Sequence, residues 1–252
     1  LGYNGARKHQ KIDLPRYYYW ADQLGLLVWG EQPSAYEFRS AARDALRRDL
    51  TEFVRRDYNH PSLIAWVPLN ESWGVRWIAT DPETQRFANS LYAQLKSQDG
   101  TRLVSTNDGW EQPESDLISL HDYTAYGRQL SRMYRTRAEA VTCAPNRVRA
   151  TMASCAQDEG QPVMITEYGG VAMDSARQDG WGYNGAVHDE AQLLERFADI
   201  THAFSAMDYV QGYCYTQLTD VFQETNGLLT MERTPKTDVE KIRAINDGIR
   251  SV

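Results

Sequence analysis

Residues 63–74 of this 252-residue chain read LIAWVPLNESWG. The apolar run through Val67 has the length and composition of a strand that is covered on both faces, as in a parallel sheet. A strand whose only role is to pack in the core should end on turn-forming residues, yet this one ends on Asn70 and Glu71. We therefore interpret it as a strand that delivers an amide and a carboxylate to a functional site.

The same order of short apolar strand, polar loop and amphipathic helix recurs along the chain. Predicted strands cover residues 2–9, 26–32, 63–71, 103–108, 116–123, 163–170 and 210–218. Predicted helices cover residues 15–24, 35–57, 82–97, 189–206 and 236–250, with a less regular stretch over 128–155 that Pro145 must break or kink. This alternation predicts an α/β protein with a parallel sheet.

Two architectures fit this number of strands. A doubly wound sheet often carries a glycine-rich phosphate loop after one strand, and the sequence shows no such loop. A (β/α)8 TIM barrel needs eight strands and about 250 residues. We therefore predict a barrel domain over residues 1–252 that lacks its first strand in this chain.

The composition limits the classes of partner. Lys and Arg number 27 against 34 Asp and Glu, which gives a formal net charge of -7. Because nucleic-acid binding needs a basic face, we expect no nucleic-acid partner. No run of about 18 apolar residues occurs, so we expect no membrane span. Cys143, Cys155 and Cys214 are odd in number and form no C-x-x-C pair, which argues against a zinc site or a disulfide framework.

The first residues, LGYNGARKHQ, do not look like a natural start. They contain no Met and lack the long apolar segment of a signal peptide. We expect the chain to be a fragment of a longer multidomain protein. The sequence leaves its cellular compartment undetermined and a homo-oligomeric state open.

Polar side chains follow almost every predicted strand. They are Arg7, His9, Glu31, Asn70, Glu71, Asn107, Asp108, His121, Asp122, Tyr123, Glu167, Tyr168, Tyr215 and Gln217. Buried polar groups cost free energy unless they have partners, so packing alone does not explain this pattern. The carboxyl ends of barrel strands are where active sites of TIM barrels lie.

Two carboxylates, Glu71 and Glu167, each end a strongly apolar strand. In a complete barrel these would be the fourth and seventh strands, on roughly opposite sides of the mouth. Two carboxylates about 5 Å apart suit a retaining glycosidase, whereas a gap that admits a water means inversion. The sequence leaves their separation open.

Four ordered segments resemble glycoside hydrolase family 2. They are GYNGARKHQKIDLPRYYYWADQLGLLVWGEQP (2–33), HPSLIAWVPLNESWG (60–74), MITEYGG (164–170) and GYCYTQLTDVFQETNGLL (212–229). They resemble, in turn, the family's second-to-third strand segment, its acid/base strand, its nucleophile strand and its last strand with the loop that follows. The resemblance implies a TIM barrel preceded by β-sandwich domains, which we expect to be the missing partners of this chain.

The resemblance also implies roles for the carboxylates. Glu71 would be the general acid/base and Glu167 the nucleophile of a double displacement through a glycosyl-enzyme intermediate. A nucleophile must stay ionised and so needs hydrogen-bond donors, for which Tyr123 and Arg7 are the candidates. Asn70 would donate a hydrogen bond to the sugar 2-hydroxyl.

Further residues are candidate sugar contacts. His9 is expected to touch a sugar hydroxyl, and His121 fits the sugar pocket slightly better than a core position. Tyr215 lies near where the family places an aromatic residue under the sugar ring, although Trp is more usual there. Trp181, in the loop DGWGYNG, fits a sugar platform and an ordinary surface residue equally well. Glu31 fits a structural pair with Arg7 at least as well as a substrate contact.

Two departures from the family's sequence pattern narrow the range of expected substrates. The family's glucuronidases carry Asn-x-Lys after the last strand, whereas this chain has Asn226-Gly227-Leu228. Its magnesium-dependent galactosidases place a His shortly after the Glu that ends the third strand, whereas Glu31 is followed by Gln-Pro-Ser-Ala. We therefore predict an exo-acting, retaining β-glycosidase that acts on a neutral sugar, with β-galactosidase as the leading candidate. We expect it to need no metal or other cofactor.

Two other functions stay open. A carbohydrate-binding or catalytically inactive barrel fragment is favoured by the missing first strand, because an open barrel exposes a sheet edge. The presence of both Glu71 and Glu167 argues against a purely binding role. A hydrolase of amide or ester bonds would want a Ser or Cys nucleophile, with a His or a metal, and neither G-x-S-x-G nor H-x-x-E-H occurs.

Overall fold

The computed structural model describes residues 1–143, 148–173 and 179–249. The strands are β1 (Gly5–Lys8), β2 (Leu27–Glu31), β3 (Leu63–Val67), β4 (Leu103–Val104), β5 (Ile118–Asp122), β6 (Val163–Gly169), β7 (Ala172–Met173), β8 (Ala186–Val187) and β9 (Val210–Thr216). Every predicted strand is present, so the prediction of an α/β fold is confirmed. Two short strands, β7 and β8, were not predicted.

The helices fall between and after the strands. They are α1 (Pro15–Leu24), α2 (Ser40–Asp57), α3 (Pro82–Gln98), α4 (Gly127–Met133), α5 (Arg137–Thr142), α6 (Glu190–Ser205) and α7 (Val239–Ile249). Where the sequence is ambiguous, over 128–155, two short helices form, and Pro145 lies outside the described residues. Within the described ranges, no helix combines the length and apolar character needed to traverse a bilayer.

The sequence itself sets the main helix boundaries. Pro15 occupies the first position of α1, where its missing N–H costs nothing. Gly25 ends that helix in the left-handed conformation, with φ of 68°. Asp81 caps α3 by accepting a hydrogen bond from the Thr84 N–H. These local signals explain why the bounds of α1 and α3 lie close to those predicted.

Strand β3 is shorter than predicted because of a proline. It ends at Val67, since Pro68 has no N–H to donate to the sheet. The chain stays extended beyond Pro68 and forms an isolated parallel bridge between Asn70 and Asp108. The residues that follow β3 are thus outside the regular ladder but still beside the chain that follows β4.

The strands form three sheets. One has the order β1-β2-β3-β4, another β5-β6-β9, and β7 pairs with β8. In the four-stranded sheet all neighbours are parallel. The carboxyl ends of its strands therefore lie along one edge, and the polar residues that follow them are brought together there.

The chain divides into two compact units. The N-terminal unit comprises Asn4–Leu120 and Arg147–Met164, and the C-terminal unit comprises Leu1–Tyr3, His121–Asn146 and Ile165–Val252. The N-terminal unit has a core of fully buried apolar side chains that includes Tyr18, Val28, Leu50, Leu63, Trp66, Leu91 and Leu95. Gly30 of β2 is required by this packing, because a Cβ there would lie 2.7 Å from Phe53 and 2.8 Å from Leu63. In the C-terminal unit, buried side chains include Tyr168, Leu193, Phe197, Ile200 and Phe204.

A buried carboxylate holds β3 to the end of α3. Asp99 accepts a hydrogen bond from the Trp66 indole N–H at 2.9 Å and from Arg102 at 2.6 Å. Burial by itself raises the pKa of Asp99, but hydrogen bonds from Thr101, Arg102 and Trp66 outweigh it and hold the pKa well below its usual value. Because β3 leads into Asn70 and Glu71, this contact also fixes the strand that delivers them.

Replacing Asp99 tests this contact. We expect Asp99→Asn to lower the free energy of unfolding at pH 7 by about 2 kcal/mol, because buried hydrogen bonds to a charged group are lost. The folded-state pKa lies below the unfolded value of about 3.9, so the stabilisation is present above pH 3.9 and is lost as the pH falls towards the folded-state pKa. Urea unfolding between pH 7 and pH 3 measures both effects. Asp49→Asn, at an exposed position of α2, is the control, and an equal loss in the two variants contradicts the prediction.

Candidate active site

A buried arginine organises the strand ends of the N-terminal unit. The Arg7 side chain is 5% exposed, and its Nη2 lies 2.8 Å from Glu31 Oε2 while its Nε lies 2.7 Å from Asp108 Oδ2. Nη2 also donates to Asn70 Oδ1 at 2.7 Å. One guanidinium thus joins the chain at β1, β2, β3 and β4. Of the two roles left open for Glu31, the structure shows the pair with Arg7, and His9 Nδ1 lies 3.1 Å from the other oxygen of Glu31.

Asn70 has one half of its amide fixed and the other half available. Its oxygen accepts the hydrogen bond from Arg7, which settles the orientation of the side chain. Its Nδ2 is buried and has no hydrogen-bond partner among the described residues. A buried amide donor without a partner costs free energy, so this atom is suited to donate to a ligand hydroxyl.

Glu71 sits on a strained turn. Glu71 and Ser72 have φ of 50° and 57°, and left-handed backbone costs a non-glycine residue about 1–2 kcal/mol. The Glu71 N–H donates to the Asp108 carbonyl at 2.9 Å and the Ser72 N–H to Asn107 Oδ1 at 3.0 Å. The Ser72 hydroxyl donates to Glu111 Oε2 at 2.6 Å and accepts from Asn107 Nδ2. These bonds hold the turn and leave Glu71 partly exposed between buried neighbours.

Two residues that support this turn, Ser72 and Glu111, were not singled out by the sequence analysis, whereas Asn107 and Asp108 were. Ser72 lies within the quoted stretch, directly after Glu71. Glu111 is 39 positions further along the chain, is buried, and is paired with Arg149 Nη1 at 3.2 Å. No short-range pattern links Ser72 to Glu111, because only the fold brings them together.

The C-terminal unit holds the second carboxylate. Glu167, at the end of β6, is buried, and its Oε2 accepts a hydrogen bond from the Tyr123 hydroxyl. His121 is fully buried, and its Nδ1 lies 3.4 Å from the same oxygen. Tyr123, one of the two candidate donors, therefore donates to Glu167, and His121 contacts the same carboxylate.

Tyr123 is kept in its donor form by its surroundings. Burial raises the pKa of the Tyr123 hydroxyl well above its usual value, and the charge of Glu167 raises it further. The phenol therefore stays protonated at neutral and mildly alkaline pH. A protonated phenol that donates to a carboxylate oxygen favours the ionised form of that carboxylate.

An aromatic stack extends from Tyr123 into the loop that contains Trp181. The Tyr123 and Tyr183 rings are nearly parallel, at 12° with centroids 4.0 Å apart, and Trp181 meets Tyr183 edge-on at 5.3 Å. Trp181 and Tyr183 are each about half exposed. The Tyr183 N–H donates to the Gly170 carbonyl at 2.9 Å, which fixes the loop. The sequence analysis missed Tyr183, whose only signal is its place two residues after Trp181 in a glycine-rich loop.

Tyr215 belongs to the core. Its ring lies edge-on to Tyr168 at 5.4 Å and against Phe197 of α6 at 5.2 Å. Neighbouring strand residues point to opposite faces, and the hydroxyl of the next residue, Thr216, forms a hydrogen bond with Tyr123. The face that bears Tyr215 is therefore the one that packs on α6. We correct the expectation that Tyr215 lies under a sugar ring and remove it from the candidate sugar contacts.

Comparison with known proteins identifies the family. A family model described as glycosyl hydrolases family 2, TIM barrel domain, matches residues 1–250. This chain belongs to glycosyl hydrolase family 2. The prediction of a TIM-barrel fold and the sequence resemblance to this family are both confirmed.

Relatives of this family 2 chain are longer proteins. A beta-glucuronidase of Paenibacillus borealis is 23% identical over 254 aligned residues, which cover 89% of the chain and 40% of the relative. A beta-galactosidase of Thermoanaerobacterium thermosulfurigenes is 26% identical over 163 residues, or 63% of the chain and 19% of the relative. The solved structure of a beta-glucuronidase from an uncultured Clostridium species shares the fold, with a TM-score of 0.72 and 18% identity over all of the chain and 45% of that protein. The chain spans less than half the length of these proteins.

The loop after β9 of this family 2 chain contains a paired lysine. Leu228, the last residue of Asn226-Gly227-Leu228 in this loop, is buried. Lys236 Nζ donates to the Thr225 carbonyl at 2.8 Å and lies 2.6 Å from Asp220 Oδ1. The cation that contacts this loop is thus neutralised by an aspartate of the same loop.

Removing the guanidinium of Arg7 tests its central position. We expect Arg7→Met to lower the free energy of unfolding at pH 7 by about 3 kcal/mol, because Glu31 and Asp108 stay buried without this cation. Denaturant unfolding measures the change. Arg55→Met, at an exposed position of α2, serves as the control and should change stability by less than about 0.5 kcal/mol. Equal stability of the two variants would show that the buried carboxylates do not depend on Arg7.

Proposed function

We propose that the full-length protein is an exo-acting, retaining β-glycosidase in which Glu167 is the nucleophile and Glu71 the general acid/base. The observation that carries this proposal is the environment of Glu167. A buried carboxylate that accepts a hydrogen bond from a phenol and contacts a buried imidazole suits a group that must react as an anion. Membership of glycosyl hydrolase family 2 supports the same class of reaction.

In the first step, a Glu167 oxygen attacks the anomeric carbon and the bond from that carbon to the leaving oxygen breaks. Glu71 gives its proton to the leaving oxygen, so the leaving group departs as an alcohol. In the second step, Glu71 takes a proton from water, and the water oxygen attacks the anomeric carbon. The ester bond to Glu167 breaks, which releases the sugar with its original configuration.

Neighbouring residues have supporting roles in this proposal. Tyr123 and His121 orient Glu167 through Oε2. Asn70 donates its Nδ2 hydrogen to the sugar 2-hydroxyl, a contact that strengthens as charge develops in the transition state. Its amide is already oriented by Arg7, so little rotational freedom is lost when the sugar binds.

We infer a neutral sugar as the substrate. A uronic acid needs a cation for its carboxylate, and Leu228 replaces the lysine that the family's glucuronidases use. Lys236, which contacts the same loop, is already neutralised by Asp220. Among neutral sugars, β-galactosides are the leading candidates. The name of the relative from Thermoanaerobacterium thermosulfurigenes, beta-galactosidase, supports this choice.

A β-glucuronide is the second candidate. It is favoured by the name of the relative from Paenibacillus borealis, which aligns with 89% of the chain. The two candidates differ by one carboxylate at sugar C6. A comparison of 4-nitrophenyl β-galactoside with 4-nitrophenyl β-glucuronide therefore separates them. A higher kcat/KM for the glucuronide would overturn the neutral-sugar inference and leave the carboxylate assignments standing.

Variants of the two carboxylates test the mechanism. We expect Glu167→Gln to lose nearly all activity, because an amide does not form the glycosyl-enzyme ester. Glu71→Gln should lose about 10²–10⁴-fold on a substrate that needs acid assistance. It should recover part of this loss with azide on a substrate with an activated leaving group, because azide attacks the intermediate without a general base. The product of that rescue should be a β-glycosyl azide.

Glu195→Gln, at an exposed position of α6, is the matched control and should keep the parent kcat/KM. Hydrolysis at the parent rate by Glu167→Gln and Glu71→Gln would refute the assignment. A parent protein that binds sugars but hydrolyses none of the panel would favour the carbohydrate-binding alternative.

Removing the Tyr123 hydroxyl tests its hydrogen bond to Glu167 without removing a catalytic carboxylate. We expect Tyr123→Phe to lower kcat about 10- to 100-fold, because one charge-assisted hydrogen bond to Glu167 is lost. Because burial raises the pKa of Tyr123 well above its usual value, the hydroxyl donates at both pH 6 and pH 9, and the ratio of parent to variant should be the same at the two pH values. Tyr126→Phe, at an exposed position, is the control. A ratio that falls towards one at pH 9 would show that Tyr123 loses its proton in this range.

A further inference from the structure

Two exposed aromatic rings lie next to each other in the N-terminal unit. Tyr36 is 58% exposed and Trp73 is 42% exposed. Their ring centroids are 5.5 Å apart and their planes meet at 54°. Tyr36 follows β2 and Trp73 follows β3, so both come from the edge of the sheet that also carries Asn70 and Glu71. We call this pair the aromatic platform.

The backbone holds the platform in position. Tyr36 has a φ of 52°, a left-handed conformation that is rare for a large side chain. The Trp73 N–H donates to the Asn70 carbonyl at 3.0 Å. Gly74 has a φ of 78°, and a Cβ there would come within 3.1 Å of the Tyr36 nitrogen. The two chain segments therefore contact each other closely, and neither ring owes its exposure to a loose loop.

The side chains that surround Trp73 of the aromatic platform are closely packed. The side chains around Trp73 and Gly74 include Phe38, Leu69, Val75 and Phe87, and they leave a cavity of only about 10 Å³. A cavity of that size holds at most one water molecule. Trp73 therefore borders a closely packed region, and the exposed parts of the two rings are not used in packing the core.

Large aromatic faces that are held rigidly and exposed are characteristic of ligand sites, where they give contact area with little loss of conformational freedom. Sugar rings present apolar C–H faces that suit such surfaces. Trp73 lies two residues after Glu71, which in the proposed mechanism gives its proton to the leaving oxygen. We therefore expect the exposed ring of Trp73 to meet the leaving group that Glu71 protonates rather than the sugar that reacts with Glu167.

We propose that Tyr36 and Trp73 bind the leaving group of the glycoside and that this leaving group is a second sugar. This proposal rests on the proposed function, because it takes Glu71 as the residue that protonates the leaving oxygen. It assigns the protein a preference for leaving groups that carry a ring. It also assigns Trp73 a role in accepting a sugar when the glycosyl-enzyme transfers to an alcohol instead of to water.

The test compares substrates that differ only in the leaving group. A β-glycosyl fluoride has no ring to place on the platform, whereas a β-linked disaccharide of the same sugar has one. We expect Trp73→Ala to lower kcat/KM for the disaccharide about ten times more than for the fluoride, mostly through KM. Tyr36→Ala should show the same selectivity to a smaller degree. Trp77→Ala is the matched control, because Trp77 is 72% exposed on the same segment and should leave both substrates unchanged.

Two outcomes would overturn the proposal. One is an equal loss for fluoride and disaccharide, and the other is no loss for either. A lower melting temperature in Trp73→Ala than in Trp77→Ala, with parent kinetics, would assign the rings to a structural contact instead. Trp73→Leu keeps an apolar side chain but not the flat ring, so it should reproduce the selectivity if Trp73→Ala does not fold.

Failure of the proposed function remains distinguishable. If the parent hydrolyses neither the fluoride nor the disaccharide, the glycosidase proposal fails. Calorimetric titration with the disaccharide then tests whether the aromatic platform binds a sugar. Parent binding that weakens about ten-fold in Trp73→Ala and is unchanged in Trp77→Ala supports it. A parent that binds no disaccharide, or a Trp73→Ala variant that binds it as well as the parent, refutes it.

Discussion

The ion pairs of Arg7 are the constraint on which the N-terminal unit depends. A single buried guanidinium contacts the carboxylates of Glu31 and Asp108 and the amide of Asn70. Each of those groups would be costly to bury alone, and the guanidinium supplies each of them with an opposite charge or a hydrogen bond. The planar, forked guanidinium can serve several acceptors at fixed angles, whereas a lysine presents a single point charge. The same contact that stabilises four strand ends also sets the direction in which Asn70 can donate.

The two carboxylates are held in different ways, and the difference matches the chemistry proposed for them. Glu167 is buried and is held through its side chain by a phenol and an imidazole. Glu71 is held through its backbone, by a left-handed turn whose polar atoms are bonded to Asp108, Asn107 and Glu111. Fixing the side chain suits an anion that must attack from one position. Fixing the backbone sets the point from which the Glu71 carboxyl group projects, the group that the proposed mechanism uses as acid and base.

Much of the fold was readable from the sequence because its signals are local. Apolar runs predicted β2, β3 and β6, and Pro15, Gly25 and Asp81 marked helix boundaries that the structure reproduces closely. The end of β3 was predicted too late, because the apolar pattern continues through Pro68 while the hydrogen-bond ladder does not. The strands β7 and β8 have two residues each, too few to produce a periodic pattern.

The candidate site was readable where a residue lies at or just beyond the carboxyl end of a strand, as Arg7, Asn70 and Glu167 do. It was not readable where the support comes from distant parts of the chain. Glu111 reaches Ser72 over 39 positions and Tyr183 reaches Tyr123 from a separate loop, so no local pattern signals either contact. Tyr215 was misjudged for a related reason, since the face to which a strand residue points depends on register, and its neighbour Thr216 occupies the other face.

The stacked pair of Tyr123 and Tyr183 connects the buried carboxylate to the protein surface. Tyr183 is half exposed, while the ring that it covers donates a hydrogen bond to Glu167. A change in the loop that displaces Tyr183 would uncover one face of the ring that holds Glu167. The sequence of that exposed loop and the geometry of the buried carboxylate are therefore not independent of each other.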